Sequence, residues 1–197
     1  MIAYIDGKLA YKDPAYVIIE AGGLGYQVKI SLNTYSCIKS EERIRLLTYL
    51  HIKEDAHTLY GFAESEEKKL FLDLISISGV GPGTALMVLS SLGVPDIKAA
   101  ILQEDVRTLQ SIKGIGGKTA QRIILELKDK LKKENLVPET GAMLKTSHNT
   151  IRNEALSALV TLGIPRPTAE KNIDSILKKQ GNDITLEQLI KIALKTS

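Results

Sequence analysis

The sequence predicts a multidomain α+β protein: a small five-stranded barrel, then a central all-α region, then a C-terminal bundle of three helices. Three observations point there. All seven tyrosines and both phenylalanines fall within the first 71 of 197 residues. One short pattern occurs twice between residues 74 and 124, with its copies 35 positions apart. Helical periodicity then stops between residues 134 and 149 and resumes beyond them.

The aromatic-rich part reads as strands over residues 2–6, 15–20, 26–30, 44–49 and 58–62, with turn signals at Lys12-Asp13-Pro14 and Gly22-Gly23. Five short strands in about 60 residues suggest a closed barrel of the OB-fold type. Such barrels often stack single-stranded bases on aromatic rings, but tyrosine is also a common strand former and serves equally as core. Lys53-Glu54-Asp55-Ala56 occupies the reversal between the last two strands, so the adjacent carboxylates Glu54 and Asp55 project from a hairpin tip. Alone, they would be a solvated turn. His51, His57 and Cys37 are metal-ligating types, yet nothing places them on one face, and no metal site is expected.

From Ser65 the spacing becomes helical, with Leu70, Phe71, Leu74, Ile75 and Ile77 forming a stripe. Leu74, Ile77, Gly79, Val80, Gly81, Thr84, Ala85, Val88 and Leu89 correspond to Leu109, Ile112, Gly114, Ile115, Gly116, Thr119, Ala120, Ile123 and Ile124. This is an internal repeat. In each copy an apolar helical segment meets a Gly-apolar-Gly turn, and a helix opening on Thr then Ala follows. The glycines permit left-handed backbone, and the helix start leaves N–H groups free for an anion. Such a turn can hold a phosphate without reading a base. Tight corners between packed helices would use the same glycines, but two copies in register argue for more than packing. The pattern resembles the helix-hairpin-helix motif, whose known use is sequence-independent binding of the DNA backbone.

Residues 94–109, with Pro95 at a helix start, join the two copies. Ala120, Ile123, Ile124, Leu127 and Leu131 then extend one apolar face to about residue 133. The lysine-rich residues 128–133 read as a solvated last turn complementing the helix dipole. Residues 142–148 read as a flexible linker. Beyond it Ile151, Ala155, Leu156, Leu159 and Leu162 form one helix, residues 168–179 a second and residues 185–194 a third, broken at Gly163-Ile164-Pro165 and Gly181-Asn182-Asp183. So small a core suits a tethered partner-docking module or a plain cap. The expected organisation is a barrel over 1–63, tandem hairpins over 64–141, a linker over 142–148 and a bundle over 149–197.

Two nucleotide-loop readings fail on spacing. Gly117-Lys118-Thr119 looks like the end of a Walker loop, but the position that needs glycine is Ile112 and no strand precedes it. Gly79-Val80-Gly81 is followed by Thr84 where a dinucleotide fingerprint needs its third glycine. No ATP site is expected.

Net charge is +3, and residues 1–63 carry seven basic and seven acidic side chains, residues 64–141 eleven of each, and residues 142–197 eight against five. Bulk charge does not announce nucleic acid, so local arrangement and oriented backbone donors must carry any binding. Hydrophobic content of 44% and charged content of 25% are ordinary for a folded soluble protein. The single cysteine, Cys37, excludes an internal disulfide and a Cys-cluster zinc site, which suits a reducing cytoplasm. The opening residues have no basic leader, and no uninterrupted apolar run reaches the roughly 18 residues of a membrane span.

The order of these parts resembles the bacterial RuvA family of Holliday-junction proteins over essentially the whole chain. Gly7, Gly22-Gly23-Leu24-Gly25-Tyr26, Lys53-Glu54-Asp55-Ala56, Leu59-Tyr60-Gly61-Phe62, Gly79-Val80-Gly81-Pro82 and Gly114-Ile115-Gly116-Gly117-Lys118-Thr119-Ala120 carry the resemblance. It implies a non-catalytic, cofactor-free subunit, a homotetramer or an octamer on DNA, that binds a four-way junction and holds it open and roughly square. It further implies recruitment of the hexameric ATPase RuvB for branch migration in recombination, DNA repair and the SOS response to DNA damage, with the resolvase RuvC as a further partner. By resemblance, Glu54 and Asp55 form an acidic pin at the crossover. DNA contacts fall on Gly79, Gly81, Gly83, Thr84, Gly114, Gly116, Gly117, Lys118, Thr119, Arg122 and Lys53. Residues 149–197 dock the motor.

The chain departs from the family pattern in one respect. The pattern places a basic residue after Gly-Val-Gly-Pro and another after Gly-Ile-Gly, where this chain has Gly83 and Gly117. The first hairpin therefore has no lysine of its own, whereas Lys118 survives in the second. A carboxylate about 8 Å from a phosphate in water repels it by roughly 0.5 kcal/mol before screening. One pin decides little, but eight carboxylates from four subunits would disfavour a closed crossover. If Lys118 and Arg122 of each subunit touch phosphates, about eight contacts give a log–log salt slope near −7. The competing readings are a nuclease or NTPase, for which no metal constellation or complete phosphate loop is present, and a single-strand-binding barrel that uses the tyrosines.

Overall fold

The computed structural model describes residues 1–38, 42–135, 147–180 and 184–195. Strands β1 (Tyr4–Lys12), β2 (Tyr16–Ala21), β3 (Leu24–Ile30), β4 (Arg43–Ile52) and β5 (His57–Phe62) close a barrel in the order β1-β2-β3-β5-β4. Among the described residues only β3 and β5 pair in parallel. Ile5, Val17, Ile19, Val28, Ile30, Ile44, Leu46 and Leu59 fill the interior, and their two-residue spacing along each strand is the pleat's own period. β1 runs past the predicted end at residue 6. A Cβ at the buried Gly7 would collide with the Glu20 carbonyl of β2, so this glycine lets two strands approach closely and does not end one.

A short helix, α1 (Leu32–Cys37), lies between β3 and β4 and had no counterpart in the sequence reading. Its six residues carry no apolar periodicity. Ser31 caps it, the hydroxyl accepting the Thr34 N–H at 2.9 Å.

Helices α2 (Ser65–Ile75), α3 (Pro82–Ser91), α4 (Val94–Leu102), α5 (Val106–Gln110) and α6 (Gly117–Asn135) follow the barrel, and together with it and α1 they belong to one compact unit. The apolar residues of both repeat copies are buried in a single core, each large aliphatic side chain contributing roughly 1.5–3 kcal/mol relative to exposure. The core continues into the barrel through Phe71, whose ring centroid lies 4.9 Å from that of Phe62, 5.2 Å from Tyr60 and 5.6 Å from Tyr49. These rings join barrel to helices and are not free for bases. The lysine-rich end of α6 is also not merely solvated: Lys128 pairs with Glu104, and Lys130 pairs with Asp73 of α2.

A second compact unit holds α7 (Ser147–Thr161), α8 (Arg166–Gln180) and α9 (Leu186–Lys195). Its core includes Ala155, Leu159, Ala169, Ile173, Leu189 and Ala193, and Arg152 clasps Asp174 through two bonds of 2.8 and 3.1 Å. Leu162, expected on the first apolar face, instead lies beyond α7 and is 61% exposed. Gly163 stops the helix with φ +93, its N–H bonding the Val160 carbonyl at 3.0 Å. Ser147 and His148, expected in the linker, begin α7. The rest of that linker and the turn at Gly181-Asn182-Asp183 lie outside the described residues.

Candidate nucleic-acid interface

Each repeat copy folds into the same corner. In the first, the Ile77 N–H bonds the Leu74 carbonyl at 3.1 Å, the Val80 N–H bonds the Ile77 carbonyl at 3.0 Å, and Gly79 sits between them at φ +92. In the second, Ile112 bonds Leu109 at 3.3 Å, Ile115 bonds Ile112 at 3.1 Å, and Gly114 has φ +91. A residue with a Cβ would lose about 1–2 kcal/mol in that conformation, which accounts for glycine at both positions. Val80 and Ile115 plug the corners from inside, while Gly79, Gly81, Gly114 and Gly116 are exposed.

The helix starts that follow are built alike. Gly81 is the N-cap of α3 and has no side chain to bond the first turn. Pro82 has no N–H, so Gly83 and Thr84 hold the open donors of that turn. In the second copy Gly117, Lys118 and Thr119 open α6, and the first helical bonds match, Ala85 to Gly81 and Ala120 to Gly116, both at 2.9 Å. Gly83, Gly116 and Lys118 are exposed, and Gly117, Thr84 and Thr119 are half-buried. The two corners thus offer main-chain donors to a polyanion with no base-reading side chain among them.

The two non-basic glycines differ in their surroundings. A Cβ at Gly83 meets nothing within 4 Å, whereas one at Gly117 would come 2.7 Å from the Gln110 amide nitrogen. Gly83 is also the repeat counterpart of Lys118, so the cation present in the second corner is missing from open space in the first. Arg122 joins the two corners: its Nη1 donates to the Ser78 carbonyl, next to Gly79, at 2.8 Å. The family resemblance makes Arg122, one turn beyond Lys118, a candidate phosphate ligand. The bond across 44 residues to the other corner had no local signal in the sequence.

Glu54 and Asp55 occupy the exposed tip between β4 and β5, closed by a 2.9 Å bond from the Lys53 N–H to the Ala56 carbonyl. Among the described residues neither carboxylate is in an ion pair, and Lys53 is exposed beside them. No group of three or more His, Cys, Asp or Glu among the described residues is placed to hold a metal ion.

A buried joint ties α1 to α2, to the end of α3 and to the end of β5. Glu67, in the first turn of α2 and 4% exposed, accepts bonds from the Ser31 hydroxyl and, at 2.5 Å, from that of Thr34. Thr34 Oγ1 also accepts the Ala63 N–H at 3.2 Å, at the elbow where the pin strand β5 passes into α2. Burial pushes the Glu67 carboxyl above the usual carboxylate value, against the opposing pull of the two hydroxyls. Asn33 adds bonds of 2.6 and 3.0 Å to the Leu89 and Leu92 carbonyls at the end of α3. Sequence reading missed this joint, because its residues are far apart in the chain and each has an ordinary local role.

Comparison with known proteins agrees with this architecture. Residues 1–61 match the family model described as RuvA N terminal domain, residues 71–129 that of a SAM-like helix-hairpin-helix tandem, and residues 150–197 that of the RuvA C-terminal domain. A protein of Cytophaga hutchinsonii named Holliday junction branch migration complex subunit RuvA is 58% identical over 100% of both chains. Proteins of the same name from Christiangramia forsetii and Amoebophilus asiaticus are 50% identical over 99% of both chains and 48% identical over 99% of this chain and 100% of the other.

Proposed function

The chain belongs to the RuvA family, and on that premise we propose that it is the non-catalytic DNA-binding subunit of a Holliday junction branch migration complex. It binds four-way junctions whatever their sequence, holds them open, and delivers them to the ATP-driven motor RuvB. In this reading Gly79, Gly81, Gly83, Thr84, Gly114, Gly116, Gly117, Thr119 and the side chains of Lys118 and Arg122 take the phosphates of the arms. Lys53 joins them near the crossover, where Glu54 and Asp55 keep strands apart. Four copies, or eight on DNA, surround the junction in the cytoplasm, α7–α9 dock the motor, and RuvC joins the assembly.

The observation that carries this reading is the pair of equivalent, exposed glycine corners bridged by Arg122. Its test is binding to junctions of scrambled sequence. Equal affinities are expected, with Lys118→Gln weakening all of them alike and making the salt slope shallower by about 0.9 per lost contact. Affinity that follows base sequence, or a slope untouched by Lys118→Gln, would overturn it.

A further inference from the structure

The first corner has no lysine on its own helix start, yet a lysine of the barrel lines the cleft that this helix start opens into. Lys29, near the end of β3, and Gly83, in the first turn of α3, line the same open cleft of about 610 Å³, with Tyr16, Gln27 and Met87 on its walls. Lys29 is exposed, and among the described residues it takes part in no ion pair or side-chain hydrogen bond. Asp13 also lines the cleft, but its carboxylate accepts the Ala15 N–H at 2.9 Å and so braces the turn before β2. Lys68 and Lys69, the basic residues of α2, are not on its walls.

The relative placement of strand and helix is fixed. Three residues beyond Lys29 the chain enters α1, whose Leu32 N–H donates to the Ser90 hydroxyl of α3 at 3.2 Å and whose Asn33 amide holds two carbonyls at the end of that helix. The segment that follows Lys29 is therefore tied to α3 by directional bonds, and the space around Gly83 is open, with nothing within 4 Å of a Cβ built there. A phosphate there would meet main-chain N–H groups from one side and an ammonium from the other. The second corner achieves the same pairing with Lys118 on its own helix.

Resting on the reading of the corners as phosphate sites, we infer that Lys29 is the missing cation of the first corner, contributed by the barrel across the cleft. The barrel then takes part in arm binding as well as carrying the pin, and DNA tracks over the ends of β2 and β3 on its way to α3.

The test measures junction affinity against salt for the full chain and for Lys29→Gln, Lys29→Arg, Gly83→Lys and the double variant Lys29→Gln with Gly83→Lys. Lys118→Gln runs as a positive control, and Lys171→Gln, in the other compact unit, controls for net charge. For a tetramer, Lys29→Gln should make the log–log slope shallower by about 3.6, one contact of about 0.9 per subunit, while Lys29→Arg holds it. Gly83→Lys should restore the slope in the Lys29→Gln background and add less in the native one, because both cations serve one phosphate. If Lys29→Gln changes the slope no more than Lys171→Gln, or Gly83→Lys adds the same increment in both backgrounds, the inference is wrong. If Lys118→Gln also leaves the slope unchanged, the reading of the corners fails with it.

Discussion

Two glycines four positions apart should respond to the same substitution with opposite signs. Gly79 sits at φ +92 with nothing within 4 Å of a prospective Cβ, so Gly79→Ala meets no clash and its cost is the left-handed backbone alone, about 1–2 kcal/mol. Gly83 lies in the first turn of α3, with equally open space and no positive φ. Gly83→Ala should therefore stabilise by about 0.4–1 kcal/mol, by restricting the unfolded chain. For a unit of this size the first change lowers Tm by roughly 3–8 °C and the second raises it by roughly 1–4 °C. Thermal unfolding followed by circular dichroism reads both. Junction affinity should fall for Gly79→Ala, whose corner must re-form, and stay within about twofold for Gly83→Ala, which keeps its N–H. An increase in Tm for Gly79→Ala would mean that the corner relaxes without left-handed backbone, and the argument that it is built to aim donors would fail.

Replacing the pin by Glu54→Gln and Asp55→Asn should leave junction affinity unchanged or raised while altering branch migration or relaxing the preference for junctions. A large loss of affinity would show that the carboxylates bind and do not hold strands apart. Arg122→Ala removes the 2.8 Å bond to Ser78 and with it the tie between corners. Junction affinity should drop more than for Lys118→Gln, and equal losses would reduce Arg122 to a second simple cation. Glu67 makes a prediction about pH. Its native carboxyl is raised by burial, so its contribution to stability is fully present below the ordinary carboxylate value and is lost as pH rises through the native one. Urea unfolding of the native chain and of Glu67→Gln should therefore show the native chain losing ground to the variant as pH rises from 4 to 7. A difference that does not change with pH would contradict the assigned burial effect. The lowered carboxyls of Glu66 and Asp174 push the absolute curve the other way but cancel in this comparison.

Much of this fold could be read in advance, because its signals are periodic or repeated. Short aromatic-rich strands between turn signals marked the barrel, the register of two glycine corners marked the hairpins, and apolar spacing marked the three last helices. What escaped depends on tertiary context. α1 is a six-residue run too short to hold a helix alone, and it exists because Ser31 caps it and Asn33 and Thr34 anchor it to helices far along the chain. β1 outran its predicted end because Gly7 reads locally as a breaker and serves in the barrel as a close-approach site. At the candidate interface, the glycine corners and the acidic tip were legible as motifs. The Arg122–Ser78 bridge and the Glu67 joint set how those motifs face one another, and no window of sequence contains both partners of either.

In the proposed function, exposed main-chain corners and a separating acidic tip together select branched DNA without reading bases. It is tested most directly by competing a four-way junction against linear duplexes of its own arm sequences at one salt concentration. A clear preference for the junction that survives scrambling of every arm is expected. Equal affinity for junction and duplex would contradict it.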